Sequence, residues 1–355
     1  MAQALSLAQR ALYTTTPNPR VGCVLVQQGT VIGQGHTQPA GRNHAEIEAL
    51  EDAATRYAVT SGATAYVTLE PCSHYGLTPP CADALIAAGV GRVVAAMRDP
   101  NPLVAGQGLA RLAAAGIATE CGLMESEARE LNIGFVSRMT RGRPWLRLKT
   151  AASLDGKTAL NNGRSQWLTG EAARADGHHW RARACAILTG MGTVKSDDPQ
   201  LNVRAVDTPR QPLKVLIDHR LELPLTARLL QGAKLLVLTA SEDRARTAAL
   251  VERGAEVLRL PDTQGKVDLP MMLAELGRRG INELHVEAGA ALNGSLLAAG
   301  LVDEFLFYLA PALVGDKALG MFALPELTDL ADKRSLRFID VVRLGDDLRV
   351  IARPR

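Results

Sequence analysis

Four residues in the first quarter of the chain have the types and spacing of a metal site with an acid–base group beside it. His44 and Glu46 open a stretch with helical periodicity, and Pro71-Cys72 follows a strand-like run, with Cys81 nine residues after Cys72. Imidazole and thiolate are preferred zinc ligands, and a catalytic zinc site keeps three protein ligands and one open position. His44, Cys72 and Cys81 supply that set, so we expect one Zn²⁺ per chain.

Glu46 is the residue that indicates catalysis at this site. Zinc lowers the pKa of a bound water towards neutrality, and a carboxylate in the first helical turn can carry protons between that water and a substrate. The order His-x-Glu, then Pro-Cys and a second Cys, is the zinc-deaminase signature. The sequence therefore predicts hydrolytic removal of an amino group from a pyrimidine or purine ring.

Taken singly, each of these residues has an ordinary structural alternative. A histidine before a helix is commonly a cap or a surface residue, and buried cysteines are commonly small apolar fillers. A structural zinc would need a fourth protein ligand, for which His74 and Cys23 are the candidates. The complete pattern in the correct order favours a catalytic site.

The spacing of the two cysteines departs from the usual signature. Eight residues (73–80) separate Cys72 from Cys81, where two are usual. Such a loop beside a metal can contact substrate. His74 and Thr78 are candidates for that contact, and a solvated loop without a role is the equal alternative.

The elements that must position these residues alternate between strand-like and helical patterns. An opening helix ends near Pro17, a hairpin turns at Gln28-Gly29, and helices and strands follow to residue 139. The basic stretch 138–144 contains Gly142 and Pro144, and it is the predicted linker between domains 1–142 and 143–355. The second domain repeats strand and helix, which predicts a largely parallel sheet covered on both faces, with an antiparallel edge at its end.

Composition favours a small-molecule substrate. The 355 residues carry 40 Lys+Arg and 37 Asp+Glu, a net charge of +3, and only 4% aromatic residues. This charge and this aromatic content give little field or stacking surface for nucleic acid. An odd cysteine count of five argues for a reducing compartment, and no apolar run is long enough to cross a bilayer. We expect a cytoplasmic protein that contacts neither nucleic acid nor membrane.

Beyond these features, the sequence closely resembles the bifunctional riboflavin-biosynthesis deaminase/reductase family of bacteria, and the resemblance covers nearly the whole chain. In the first domain the matching stretches are 16–22 (TPNPRVG), 44–46 (HAE), 68–74 (TLEPCSH), 78–81 (TPPC) and 99–102 (DPNP). In the second they are 152–157 (ASLDGK), 165–167 (SQW), 192–194 (GTV), 197–199 (DDP), Leu201, Arg204 and 286–289 (VEAG). The long inter-cysteine loop is also typical of this family.

The resemblance implies a fold class and a second cofactor. It implies an α/β chain with an N-terminal cytidine-deaminase-like three-layer domain and a C-terminal dihydrofolate-reductase-like domain that uses NADPH. The residues it places at NADPH are Ala151, Trp167, Thr193, Asp197, Gly289, Ala290, Ala291, Leu292, Asn293, Gly294 and Ser295. The residues it places at the substrate are Ser165, Arg181, Leu201, Arg204 and Glu287. Guanidinium groups such as those of Arg181 and Arg204 suit a ribose phosphate, and an ordinary surface role is their alternative.

The implied activity has two steps. A diamino-hydroxy-phosphoribosylaminopyrimidine is first deaminated, and its ribose is then reduced to a ribityl chain by hydride from NADPH. The resemblance also implies a homo-oligomer, either a dimer or a tetramer. The alternatives are a tRNA or free-nucleoside deaminase with a non-catalytic C-terminal domain, and a zinc-stabilised module that senses a nucleotide without turnover.

Several positions in the second domain are left open by the sequence. Lys149 and Asp155 are candidate proton donors on chemical grounds alone. His219 stands where the family often has a small hydroxyl residue. The preference for NADPH over NADH is not readable, and the segment 190–192 (GMG) is a weak match to a dinucleotide-binding motif.

Overall fold

The computed structural model describes residues 1–75 and 79–355, and it divides into two compact units, Met1–Arg143 and Pro144–Arg355. Thr78, a candidate substrate contact, lies outside the described residues. Within the described residues, no helix is both long and apolar enough to cross a membrane.

In the first unit, helices cover a mixed sheet. Its helices are α1 (Ala2–Gln9), α2 (Ala45–Thr55), α3 (Cys81–Ala87), α4 (Gln107–Ala114), α5 (Glu125–Leu131) and α6 (Ile133–Arg141). Its strands are β1 (Gly22–Gln27), β2 (Thr30–His36), β3 (Thr64–Val67), β4 (Arg92–Ala95) and β5 (Ala118–Cys121), in the sheet order β2-β1-β3-β4-β5. β1 is antiparallel to β2 and β3, whereas β3, β4 and β5 are parallel.

Alternation along β1 shows why the sheet is covered on both faces. Cys23 and Leu25 pack into the core that includes the alanines of α2, and Val24 packs with Ala4 and Leu7 of α1. Successive side chains of a strand point to opposite faces, so helices lie on both sides of the sheet. The predicted hairpin is confirmed, with positive φ at Gln28 and Gly29.

The end of this unit differs from the expected secondary structure in two places. The stretch 125–139 was predicted as one helix, but it divides at Asn132, which exchanges two 2.8 Å hydrogen bonds with the backbone of Arg20. The predicted linker 138–144 contains the boundary between the two units, after Arg143, but it is helical as far as Arg141, with a left-handed φ of 68° at the C-cap Gly142. Arg138 and Arg141 lie in the last turn of α6, where the helix dipole favours positive charge. The basic residues of this stretch therefore extend the helix.

The second unit is built on a larger, mostly parallel sheet. Its helices are α7 (Glu171–Arg183), α8 (Met191–Asp197), α9 (Arg244–Glu252), α10 (Leu269–Arg278) and α11 (Ala290–Ala298). Its strands are β6 (Trp145–Ser153), β7 (Lys157–Ala159), β8 (Ala186–Gly190), β9 (Leu213–Ile217), β10 (Leu235–Thr239), β11 (Ala255–Arg259), β12 (Glu283–Glu287), β13 (Glu304–Ala310), β14 (Leu319–Gly320), β15 (Leu336–Leu344) and β16 (Asp347–Pro354). The order of the main sheet is β11-β10-β9-β8-β12-β6-β13-β16-β15, and β14 pairs with β7 separately.

The main sheet has a hydrophobic core on each face. Along β8, Ala186 and Leu188 belong to one core and Ile187 to the other. The predicted antiparallel edge is confirmed, because β16 runs antiparallel to β13 and to β15. The edge strand β15 was missed, because its mixture of charged residues with the exposed Phe338 and Val341 has no clear buried face.

Candidate functional sites

A cluster of three potential metal ligands lies in the first unit. The ligand atoms of His44, Cys72 and Cys81 all lie within 4.8 Å of one another. His44 is the N-cap of α2, Cys81 is the first residue of α3, and Cys72 lies in the segment that follows β3. One strand end and two helix starts therefore converge on one point, as the sequence predicted.

The spacing of these atoms fits a tetrahedral metal ion. His44 Nδ1 lies 3.3 Å from Cys81 Sγ and 3.7 Å from Cys72 Sγ. With bond lengths of about 2.0 Å to nitrogen and about 2.3 Å to sulfur, tetrahedral angles place a nitrogen ligand about 3.5 Å from a sulfur ligand, and the two observed distances lie on either side of this value. The donor set of one imidazole and two thiols is also typical of zinc.

The two thiols and the imidazole form a strongly coupled group. Hydrogen bonding from the Cys81 thiol, together with the contact to His44, lowers the pKa of Cys72 to about 4. The hydrogen bond to Cys72, and then burial, raise the pKa of Cys81. The backbone N–H of Cys81 also donates to Cys72 Sγ at 3.2 Å. A thiolate is thus already stabilised at Cys72, and a divalent cation would displace the remaining thiol proton.

Glu46 lies beside this cluster without joining it. Its side chain is buried, and burial followed by the charge of Cys72 raises its pKa to about 7. A carboxyl group with a pKa near the working pH can both accept and donate a proton. Within residues 1–75 and 79–355, the group of potential ligands at this point contains His44, Cys72 and Cys81 alone.

The candidates for a fourth ligand are not brought into the cluster. Cys23 is buried in the core of the first unit, and burial raises the pKa of its thiol. His74 is exposed after Cys72. A described ligand set of three leaves a coordination position for water or substrate, as in catalytic rather than structural zinc sites.

In the second unit, an ion pair joins two residues predicted to meet the substrate. Arg181 on α7 donates to both carboxylate oxygens of Glu287, at 2.5 and 2.8 Å. Glu287 ends β12, directly opposite Lys149 of β6, whose Nζ lies 3.9 Å from the carboxylate. The charges of Arg181 and Lys149 hold the pKa of Glu287 well below its usual value, although burial opposes them.

The other predicted substrate residues lie close to this pair or in loops. The guanidinium of Arg181 also donates to the carbonyl of Asn202, and Arg204 donates to the Asn202 side chain at 2.6 Å. Leu201 is buried with a left-handed φ of 46°. Ser165 is half-buried in the segment between β7 and α7.

His178 belongs to the same neighbourhood and was missed by sequence reasoning. Its Nδ1 accepts the backbone N–H of Arg204 at 3.3 Å. Burial, Arg181 and Arg204 lower its pKa to about 4, so it is neutral at pH 7. The pair His178-His179 on α7 was the available signal, but a helical pattern alone does not say which face meets a site.

The residues predicted to contact NADPH are spread over several elements. Ala151 is on β6, and Thr193 and Asp197 are on α8. Trp167 has 70% of its surface exposed, with the Arg174 guanidinium 4.8 Å from the centre of its ring.

The helix start after β12 fits a phosphate-bearing cofactor. Gly289 is the N-cap of α11, and the first turn of this helix contains no acidic residue. A helix N-terminus of this kind offers free N–H groups to a phosphate. Gly190, at the end of β8, packs against Leu292 of α11, so the predicted cofactor segments after β8 and β12 are neighbours.

Two residues of the stretch 289–295 also have structural roles. The Asn293 side chain is buried and donates to the carbonyls of Ala288 and Met321, both at 3.1 Å. Gly294 packs so closely that an added Cβ would lie 2.0 Å from the carbonyl oxygen of Ala323. These contacts fix the start of α11, and the contact of this stretch with NADPH stays a prediction. Gly289, Ala291 and Ser295 are on the exposed side of the segment, and Ala290 and Leu292 are partly exposed.

The structure separates the two candidate proton donors. Asp155 accepts hydrogen bonds from Ser153 and from the backbone of Val314 and Gly315, and these bonds lower its pKa to about 2. It is therefore ionised at neutral pH and is a poor proton donor. Burial, partly offset by Glu287, lowers the pKa of Lys149, which keeps this residue a candidate.

His219 has an orientation fixed by the backbone. Its Nδ1 accepts the N–H of Val267 at 2.9 Å, and burial lowers its pKa. The neutral ring therefore carries its proton on Nε2, and Nε2 is its hydrogen-bond donor.

Both units match known protein families. Residues 1–97 match the cytidine and deoxycytidylate deaminase zinc-binding region, and residues 144–350 match the RibD C-terminal domain. The riboflavin biosynthesis protein RibD of Escherichia coli is 47% identical over 360 residues, covering 98% of this chain and 96% of that protein.

Solved structures agree over the whole chain. RibD of Acinetobacter baumannii has 43% identity and a TM-score of 0.92, covering 100% of this chain and 97% of that one. A Thermotoga maritima protein described as a diaminohydroxyphosphoribosylaminopyrimidine deaminase/5-amino-6-(5-phosphoribosylamino)uracil reductase has 32% identity and a TM-score of 0.89, with the same coverage.

The fold and the His-Cys-Cys cluster define a class of two-part enzyme, with a zinc-type deaminase unit followed by a reductase unit. The predicted fold class, cytidine-deaminase-like and then dihydrofolate-reductase-like, is confirmed. The chain belongs to the RibD family of riboflavin-biosynthesis proteins.

Proposed function

We propose that this chain catalyses two successive steps of riboflavin biosynthesis. Domain 1–142 deaminates a diamino-hydroxy-phosphoribosylaminopyrimidine by hydrolysis, and domain 143–355 reduces the ribose of the product to a ribityl chain with NADPH. The observation that carries the proposal is the convergence of His44, Cys72 and Cys81 beside the buried Glu46. The activity described for the Thermotoga maritima relative supports the choice of substrate.

In the deaminase site, the three ligands hold zinc, which when bound supplies an activated water and polarises the substrate. Glu46 acts as the acid–base group. Its buried carboxyl takes one proton from the attacking water and passes it to the ring nitrogen. It then takes the remaining proton of that oxygen and delivers it to the amine, which leaves as ammonia as the ring carbonyl forms. The raised pKa of Glu46 supports this role, because neither protonation state is strongly disfavoured near pH 7.

In the reductase site, NADPH when bound supplies the hydride that reduces the ribose. Arg181 and Arg204 bind the ribose phosphate, and Glu287 orients Arg181 through the paired hydrogen bonds. Ser165 and Leu201 line the rest of the substrate pocket. Positioning of the sugar against the cofactor provides most of the rate enhancement.

The cofactor is held by backbone and side-chain groups from several elements. Trp167 offers an exposed ring for stacking, and the N-terminus of α11 offers N–H groups to a phosphate. Ala151, Thr193 and Asp197 complete the contacts, together with the stretch 289–295.

The setting of the enzyme is also proposed. We infer a cytoplasmic homo-oligomer, a dimer or a tetramer, that binds no nucleic acid. The near-neutral charge supports the absence of a nucleic-acid partner, and the odd count of five cysteines supports a reducing compartment. A tRNA or free-nucleoside deaminase with a non-catalytic C-terminal domain is not favoured, because residues 144–350 match the RibD C-terminal domain.

Replacement of Glu46 tests the first step. The Glu46→Gln protein should keep its zinc and lose about 10²–10⁴-fold in ammonia release, because the proton carrier is gone. Glu48→Gln, in the same helical turn, is the matched control and should release ammonia normally. Both variants should reduce pre-deaminated substrate at the wild-type rate, and normal ammonia release by Glu46→Gln would contradict the assigned role.

A further inference from the structure

A second buried glutamate, Glu70, is close in sequence to the ligand Cys72 and has no role in the proposed proton transfers. Glu70 follows β3, two residues before Cys72, and only 4% of its surface is exposed. Its Oε2 accepts the backbone N–H groups of Asp99 and Gly106, at 3.0 and 2.9 Å. Its Oε1 accepts those of Gly108 and Leu109, at 2.8 and 3.2 Å. One carboxylate therefore holds the whole segment 99–109.

These bonds make Glu70 the cap of helix α4. The N-cap residue Gly106 has no side chain to satisfy the first N–H groups of the helix, and Glu70 accepts them from outside. A carboxylate at a helix N-terminus is further stabilised by the helix dipole. An added Cβ on Gly108 would lie 1.9 Å from the carbonyl oxygen of Pro71, so α4 is pressed against the residue that precedes Cys72.

Helix α4 also contacts the chain just after each of the two cysteines. Arg111 of α4 donates to the carbonyl of Ser73, the residue after Cys72, at 3.4 Å. Its guanidinium also pairs with Asp83, two residues after Cys81, at 2.6 Å. Helix α4 therefore contacts both chain segments that carry the thiol ligands.

We propose that Glu70 is a positioning residue for the zinc site, acting through α4 to fix the separation of Cys72 and Cys81. This inference rests on the proposed zinc-dependent function. Two hydrogen bonds join the cysteine segments directly, from the N–H of Cys81 to Cys72 Sγ at 3.2 Å and from the N–H of Ala82 to the Cys72 carbonyl at 3.1 Å. The brace formed by Glu70, α4 and Arg111 supports both segments from outside these bonds. Partners outside the metal ligands commonly set ligand geometry in this way.

Glu70→Gln in the full-length protein is the test, because it keeps the size of the side chain and removes its charge and one acceptor oxygen. Substitution of a residue that orients the metal ligands without binding the metal typically lowers metal affinity or activity by about 10- to 100-fold. We therefore expect the zinc dissociation constant, measured by competition with a chromogenic chelator, to rise by about that factor. The reductase activity should be unchanged.

The matched control is Asp218→Asn, which alters a buried carboxylate that also accepts two backbone N–H groups, in the second unit. It should leave the zinc dissociation constant unchanged. A merely stabilising role of Glu70 would lower the melting temperature while folded protein bound zinc with wild-type affinity, and that result would overturn the proposal.

A second variant applies if Glu70→Gln does not fold. Arg111→Gln removes a partly exposed contact, and exposed ion pairs are weak, so zinc affinity should fall by about two- to fivefold. Unchanged affinity in Arg111→Gln would then overturn the proposal. If the wild-type protein binds zinc but releases no ammonia, the proposed function fails, while the zinc measurements still decide the role of Glu70.

Discussion

The two proposed sites of this chain differ in how closely their residues are grouped. In the first unit, the three potential ligand atoms lie within 4.8 Å of one another, and the proposed acid–base residue Glu46 is on the same helix as one of them. In the second, the predicted contacts are distributed over β6, α7, α8, β12 and α11, and the charged groups are paired with each other, as Arg181 is with Glu287.

The difference shows what each kind of reaction requires from a protein. Hydrolysis at a metal needs particular atoms at fixed distances, so the residue types are narrowly limited. Hydride transfer relies on a cofactor that carries the reactive group, so the protein mainly binds and orients. A single substitution in the first site should therefore abolish most of the deaminase activity. A single substitution in the second site should lower the reductase activity only partly.

The largest graded effect is expected at Arg181. Arg181→Gln removes a charged contact to the proposed ribose phosphate, and hydrogen bonds to charged groups contribute about 1.5–3 kcal/mol each. The kcat/KM of reduction should fall about 10- to 100-fold, mainly through KM. Steady-state NADPH oxidation with pre-deaminated substrate measures this.

Ammonia release by Arg181→Gln should stay at the wild-type rate. The matched control is Arg279→Gln, which should leave both activities unchanged. Arg279 also forms ion pairs with two carboxylates, those of Glu256 and Glu275, and neither is a proposed site residue. If Arg181→Gln abolished reduction as completely as Glu46→Gln abolishes deamination, the contrast between an abrupt and a graded site would be lost.

The smallest effect is expected at Asp155, and it depends on pH. Hydrogen bonds lower its pKa to about 2 in the folded protein, against a usual value of 3.8. A carboxylate with a depressed folded pKa stabilises the protein above its unfolded pKa and loses that contribution as the pH falls. The melting temperatures of wild type and Asp155→Asn should differ above about pH 5 and converge between about pH 4 and pH 2.

Differential scanning calorimetry across that range tests the point. A difference in melting temperature that stayed constant down to pH 2 would show that Asp155 does not act through its charge. Undiminished reductase activity of Asp155→Asn at pH 7 would agree with its exclusion as the proton donor.

The sequence was most informative where the chemistry is demanding. His44, Glu46, Cys72 and Cys81 could be found from residue type and order, because few other residues can bind zinc and move protons. The alternating elements of both units also followed from hydrophobic periodicity, because buried strands such as β8 are continuously apolar.

What the sequence did not predict depends on contacts between distant residues. Glu70 was seen only as part of a motif, since its four N–H partners lie 29 to 39 residues later. The break at Asn132 depends on Arg20, 112 residues away. The structural role of Asn293 depends on Met321 in the same way. Periodicity describes only local order, so such contacts need the folded chain.

The most direct test of two independent sites is removal of zinc from the wild-type protein. After chelation, ammonia release should disappear and return on addition of Zn²⁺, while NADPH oxidation with pre-deaminated substrate should continue at the original rate. Loss of both activities in protein that remains folded, or survival of ammonia release without zinc, would contradict this account.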